Sequence, residues 1–375
     1  MKTTRREFLV AAAAAPAIGP ILLGAQDKAG AKAPVVGQGA FTYEAIHDWG
    51  ELPAHIKWGN THGVVEDAQG NIHVHHTVHA TSETPDSMVV FDRNGKFIRS
   101  WGKEFRGVAH GLHLRREGNT EFLYLTVNSV APTAANPPAI HGAVIKATLS
   151  GEIVWRIQGP PDIEAYRPLV PPRPRYNPTN IAVAPNGDVY VADGYGLYYI
   201  NQYNAKGEYI RTFGGRASAA TGAGGGNGPD APLGTLAEPH GIWMDTRLSA
   251  PMLVVADRRN NRLQRFSLDG TPIDAVSGFL RLPCHFDEHG GHVVIPDLHG
   301  RVTLIDKDNR LIAHLGDSNA PNWNNPLRTQ PRDRFAPGVF VQPHGACFDH
   351  AGNIFVVEWV EVGRVTKLRK VDTPT

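Results

Sequence analysis

An excess of either charge is missing from this chain. Lys plus Arg (37) nearly equals Asp plus Glu (36), a formal net charge of +1. That balance excludes the basic surface a nucleic-acid partner needs, so none is expected. Cysteine is scarce, with two in 375 residues, Cys284 and Cys347. Both fall in the first strands of neighbouring repeats. An oxidising compartment permits a bridge between them, and buried free thiols are also common. A long apolar run is missing too. The nearest approach, 10–25, is interrupted by Pro16, Gly19, Pro20 and Gly24 and is short for a membrane span. What is abundant is glycine (40) and proline (29), as an all-β chain with many turns requires.

That first apolar stretch follows Thr4-Arg5-Arg6-Glu7-Phe8-Leu9. A paired arginine before a moderately apolar, Ala-rich run resembles a twin-arginine export signal. Small residues near Ala25 and at Ala29-Gly30-Ala31 offer cleavage sites. We therefore read 1–31 as a signal peptide, 32–40 as a linker and 41–375 as one domain. The mature protein is expected in the periplasm or secreted, with no membrane partner once the signal is removed.

The domain is built from a repeated phrase. A His-Gly pair leads into a short apolar run and a turn. A second apolar run then ends in an acid. One full copy reads His240-Gly241-Ile242-Trp243-Met244-Asp245, then Leu253-Val254-Val255-Ala256-Asp257-Arg258, then 263–266 and Leu268-Asp269-Gly270. Six copies align, starting near His62, His110, Thr179, His240, Phe286 and His344. Each holds four runs of about 4–7 residues rich in Val, Ile, Leu, Phe and Tyr between Gly, Asn and Asp turns. Four-stranded repeats of about 40–50 residues make a six-bladed β-propeller. The sixth copy lacks a fourth strand. Phe41-Thr42-Tyr43-Glu44-Ala45-Ile46-His47-Asp48-Trp49 matches one, so the N-terminal strand is expected to close the last blade and remove two exposed edges.

The strand order also predicts a functional face. Blade-to-blade loops and loops joining second to third strands share one side of the ring. All the long insertions (77–87, 129–141, 159–178, 214–234 and 316–341) belong to that set. A rigid scaffold carrying such loops around a concave mouth is the usual place for a site. The His-Gly pairs begin first strands, so they stand at that mouth near the axis. His110, His240 and His344 hold one repeat position in alternate blades, about 120° apart in a six-fold ring. Three converging imidazoles with open positions describe a catalytic zinc site. His62 has that place in blade one, as a fourth ligand or a supporting group behind the ligands. Thr179 has it in blade three and Leu282 in blade five, while His285 could face the channel from blade five. Asp193, Asp257, Asp297 and Glu358 end second strands and read as caps for backbone N–H groups.

The phrases Val191-Ala192-Asp193-Gly194-Tyr195, Val255-Ala256-Asp257-Arg258-Arg259-Asn260-Asn261-Arg262-Leu263 and Pro343-His344-Gly345 resemble NHL repeats. With the three histidines they resemble the peptidyl-α-hydroxyglycine α-amidating lyase family, over about 58–369. The resemblance implies zinc on His110, His240 and His344. It further implies Tyr195 acting near the metal and Arg258 lining the site, where it could hold a substrate carboxylate. The implied chemistry is C–N cleavage of a carbinolamide. The family's first-blade arginine is replaced by the stretch His73-Val74-His75-His76-Thr77-Val78-His79, so one of His75, His76 and His79, with His76 the first candidate, could replace it as a polar or acid–base group. The family's acidic position linked to a structural calcium is Gly345. The expected function is thus an exported zinc-dependent lyase or hydrolase on a small polar or peptide-derived substrate. The alternative is a non-catalytic propeller docking a protein or glycan. A calcium lactonase-like propeller would prefer oxygen ligands to this His-rich phrase.

Overall fold

The alternating apolar runs fold as six antiparallel sheets around a central channel, five of four strands and the last of six, in a computed structural model. It describes residues 23–26, 32–130, 141–167, 176–217, 228–320 and 322–371. The arginine pair of the expected export signal lies outside the described residues, as does most of the 1–31 segment.

Blade one comprises Thr61–Glu66, Ile72–His76, Met88–Phe91 and Phe97–Trp101. Blade four comprises Pro239–Asp245, Met252–Asp257, Arg262–Phe266 and Pro272–Ser277. The inner three strands of the blades are largely buried, because their side chains pack on both faces against neighbouring blades. Each of the six largest apolar clusters accordingly joins two consecutive blades. Val90, Met88, Leu112 and Leu125 join the first two, and Val294, Leu304, Phe348 and Val356 join the last two. Val64, Val74, Phe91, Cys347, Phe355 and Val357 join blade six to blade one, and this cluster seals the ring.

The closing strand is where the repeat pattern puts it. Phe41–His47 pairs antiparallel with Val365–Lys370, with Leu368 opposite Ala45. The expected linker 32–40 is not a linker. Lys32–Gln38 is a strand that pairs with Phe41–His47 as a hairpin, and Leu23–Gln26 pairs outside it. Gly37 and Gly39, both at positive φ, permit the tight return, and Val36 and Phe41 pack against the last apolar cluster. Cys284 and Cys347 are both buried and unpaired. Among the described residues, no helix is long and apolar enough to cross a membrane.

Candidate functional site

The His-Gly phrase marks a bulge. In blade one Thr61 pairs with His76 and Gly63 with His75, so His62 is an extra residue on its strand. The same register break falls at His110-Gly111, His240-Gly241 and His344-Gly345. A bulge turns one side chain out of the pleat, and here it turns each imidazole into the channel. The ring centroids of His110, His240 and His344 are 4.7–4.9 Å apart.

The three imidazoles are held alike. His110 Nδ1 donates to the Thr179 carbonyl at 2.7 Å, His240 Nδ1 to that of Cys284 at 2.8 Å, and His344 Nδ1 to that of His62 at 3.0 Å. Each acceptor belongs to the equivalent residue of the next blade. A carbonyl only accepts, so each proton sits on Nδ1 and each Nε2 presents a lone pair. The glycines make these contacts feasible. A Cβ at Gly111, Gly241 or Gly345 would stand 2.6, 2.8 or 2.5 Å from the same three carbonyl oxygens. Histidine and glycine are therefore one device, in which the neighbouring strand comes close enough to orient the ring.

This pattern corrects the blade-five assignment. The residue at the shared ring position is Cys284, not Leu282, because Pro283 faces Asp297 just as Pro239 faces Asp257 and Pro343 faces Glu358. His285, one residue on, does not support the imidazole cluster. Its Nδ1 donates to the Ala346 carbonyl, and it lines a separate cavity with His113 and Asp287 toward the other end of the channel.

The gaps between the three tethered histidines are filled by different groups. Toward blade one stands His62, with ring centroids 4.8 Å from His110 and 4.5 Å from His344. Toward blade three, the Tyr195 hydroxyl lies 3.2 Å from His110 Nε2 and 3.0 Å from His240 Nε2. Toward blade five, Arg258 directs Nη1 at Cys284 Sγ (3.8 Å) and Nη2 at Tyr195 (3.4 Å). Candidate metal-binding atoms of His62, His110 and His344 all lie within 4.8 Å of one another. That triangle shares its His110–His344 edge with the tethered triangle. We take the tethered three as the fixed set, because only they have their lone pairs aimed by inter-blade hydrogen bonds.

Electrostatics keep the cluster neutral. Burial, then Arg258, pushes His110 down to about 3. Burial and the neighbouring charges hold His240 and His344 well below the ordinary histidine range. Protonation therefore does not satisfy the Nε2 lone pairs near neutral pH. His344 Nε2 is buried without a partner, and the single Tyr195 proton is shared between two acceptors. Converging neutral nitrogens short of donors fit a divalent cation of the zinc type. Calcium, which takes oxygen ligands, does not fit this donor set.

Burial raises Tyr195 to about 12 against the opposing pull of Arg258, so its phenol carries its proton. Arg258 is committed to Glu238 at 2.5 Å, and Arg259 pairs with the other oxygen of the same carboxylate. Burial opposes ionisation of Glu238, but the two arginines outweigh it and hold its carboxyl below the usual range.

His76 belongs elsewhere. Gly59 and Val78 donate backbone N–H groups to its Nδ1 at 3.3 and 3.2 Å, and its ring packs edge-on against Trp58. The acids that end other second strands do the same work. Asp257 accepts from Ala237, Asp297 from Arg281 and Glu358 from Val341, three residues before His240, Cys284 and His344. Gly59 is three before His62. His76 is blade one's version of this loop clamp, and the capping role read for the acids holds for it too.

A cavity of about 430 Å³ opens above the imidazoles on the long-loop face. Every second-to-third loop contributes to it: Thr77, Asn128, Tyr195, Arg258, Leu298 and Trp359. Glu238 and Trp323, which the sequence reading missed, come from blade-to-blade loops. A signal for these loops existed, since four of the six wall residues directly follow the clamp residue of their blade. Glu238 gave none beyond its place before Pro239-His240; it is a non-glycine at φ 58°.

Peptidyl-alpha-hydroxyglycine alpha-amidating lyase 1 of Drosophila melanogaster is 32% identical over 178 residues, 47% of this chain and 28% of that protein. The matched part thus spans less than a third of that relative. A streptogramin B lyase structure superposes with a TM-score of 0.53 at 12% identity, covering 86% of this chain and 97% of that one. The gluconolactonase XC5397 of Xanthomonas campestris gives 0.52 at 14%, covering 93% and 97%. Both structural likenesses show the fold alone. No family model matches the chain.

Proposed function

We propose that this chain is a zinc-dependent propeller lyase or hydrolase acting on a small polar or peptide-derived substrate, and that it is exported by the twin-arginine route. The observation that carries the reading is the set of three imidazoles from alternate blades. Each is tethered at Nδ1, and the Nε2 lone pairs are directed to one region at the floor of a cavity. His110, His240 and His344 would hold the ion, which when bound supplies a Lewis acid for a substrate oxygen.

The remaining residues position and exclude. Glu238 fixes Arg258, and Arg258 fixes Tyr195 from its far side, so the phenol proton is held at a defined point beside His240. Tyr195 is placed to pass that proton to a leaving nitrogen or oxygen and, as phenolate, to take up the proton that the substrate or water hydroxyl gives up. Trp323, Trp359, Leu282 and Leu298 give the cavity an apolar wall that limits water. The partial similarity to an amidating lyase supports an α-hydroxyglycine-type carbinolamide as the first substrate to try. Tyr195 and Arg258, both lining the cavity, support that choice, and His76, bonded to the Gly59 loop, is given no part in it.

The test is metal analysis of purified mature protein, with turnover of an N-acyl-α-hydroxyglycine followed as glyoxylate release. One zinc per chain is expected, with metal and turnover lost together in His110→Ala. Metal-free protein that stays metal-free after zinc addition contradicts the reading. Retained binding of a protein or glycan partner by His110→Ala, without turnover in either form, favours a docking propeller instead. Export is checked by fractionation: an Arg5→Lys, Arg6→Lys variant should remain in the cytoplasm.

A further inference from the structure

His62 occupies the ring position of the three tethered histidines but lacks their tether. Its Nδ1 is buried and meets no partner, while its backbone carbonyl accepts from His344. An unmet buried ring nitrogen is costly whichever tautomer it adopts. The residue is only 7% exposed and lines the cavity. It fills the gap between His344 and His110, with candidate ligand atoms of all three within 4.8 Å. The other gaps are filled by a phenol and by a guanidinium–thiol pair, so His62 is the gap group with a nitrogen lone pair to give.

Resting on the zinc-site reading, we propose that His62 is a fourth, displaceable nitrogen ligand. The three tethered imidazoles form the permanent set, and His62 completes a four-nitrogen resting site and withdraws when substrate oxygen arrives. The asymmetry follows from the hydrogen bonds. Turning His110, His240 or His344 away breaks a buried bond of 2.7–3.0 Å, whereas turning His62 away breaks none at its Nδ1. A closed four-ligand site is otherwise the mark of a structural metal. One untethered ligand lets a closed site open.

The test uses cobalt(II) as a visible probe in the full mature protein. Wild type should show the intense d–d bands of a four-coordinate nitrogen site. His62→Ala should bind cobalt with a dissociation constant raised about tenfold or more. Its bands should be weaker and shifted, and added imidazole should restore them. Acetohydroxamate, a small oxygen chelator, should move the wild-type spectrum toward that of His62→Ala. His62→Gln, checked for native circular dichroism, guards against a folding defect in the alanine variant. Unchanged spectrum and affinity in folded His62 variants overturn the His62 assignment and leave the zinc site standing. Wild type that takes up no cobalt overturns both.

Discussion

The even-numbered and odd-numbered blades use one ring position for two jobs. Blades two, four and six place His110, His240 and His344 there, each followed by a glycine. Blades one, three and five place His62, Thr179 and Cys284 there, and it is their carbonyls that hold the even-blade rings. Side-chain identity should therefore matter steeply at even positions. At odd positions three and five, the backbone should matter and the side chain much less. The lesson is that repeat symmetry can be split into donors and anchors without changing the strand path.

The largest effect is expected from the even side. His344→Ala or His240→Ala should abolish stoichiometric zinc and turnover, read by metal analysis and glyoxylate release. Next comes the anchor distance. Gly111→Ala sets a Cβ against the Thr179 carbonyl, and should weaken zinc binding by about 10–100-fold and stability by about 1–3 kcal/mol. A zinc competition titration and a urea melt check these. His76→Ala separates clamp from catalysis. Losing two backbone N–H partners should cost about 1–3 kcal/mol of stability while the zinc content of folded protein stays at one per chain. The smallest effect belongs to the odd side. Thr179→Val removes hydroxyl bonds to the carbonyls of Pro239 and Ala192 but spares its own carbonyl. About 1 kcal/mol of stability should be lost and zinc retained; loss of zinc there would break the comparison.

The second-strand acids sharpen it through pH. Asp193 accepts from the backbones of Asn177 and Leu197 and from Tyr166, with no arginine bonded to it among the described residues, whereas Asp257 has Arg262 at 2.8 Å. Burial raises Asp193 from 3.8 to about 7. An acid whose folded value is raised favours the folded state when protonated. Its contribution is full below about 4 and is lost as pH rises through about 7. The thermal midpoint should fall between pH 5 and 8 on this account, and Asp193→Asn should flatten that fall.

Much of this was legible in the sequence. Short β-rich runs gave six blades, and the missing fourth strand at the C-terminal end pointed to 41–49. One shared repeat position in alternate copies put His110, His240 and His344 together, because ring position survives translation from repeat to fold. Three things were not legible. Lys32–Gln38 reads as a linker because a fifth strand has no counterpart in the other blades. Cys284 was hidden because blade five lacks the His-Gly pair that sets the frame, and only Pro283 opposite Asp297 restores it. His76 looked catalytic from its place near the active face. A histidine with a backbone-bonded Nδ1 cannot be told from a free one until the Gly59 loop is placed against it.

The most direct test is anomalous diffraction at the zinc edge from crystals of the mature protein. A single peak is predicted in the channel, about 2.0–2.1 Å from Nε2 of His110, His240 and His344 together. A peak held by fewer than all three of these, or none after zinc soaking, would contradict the account.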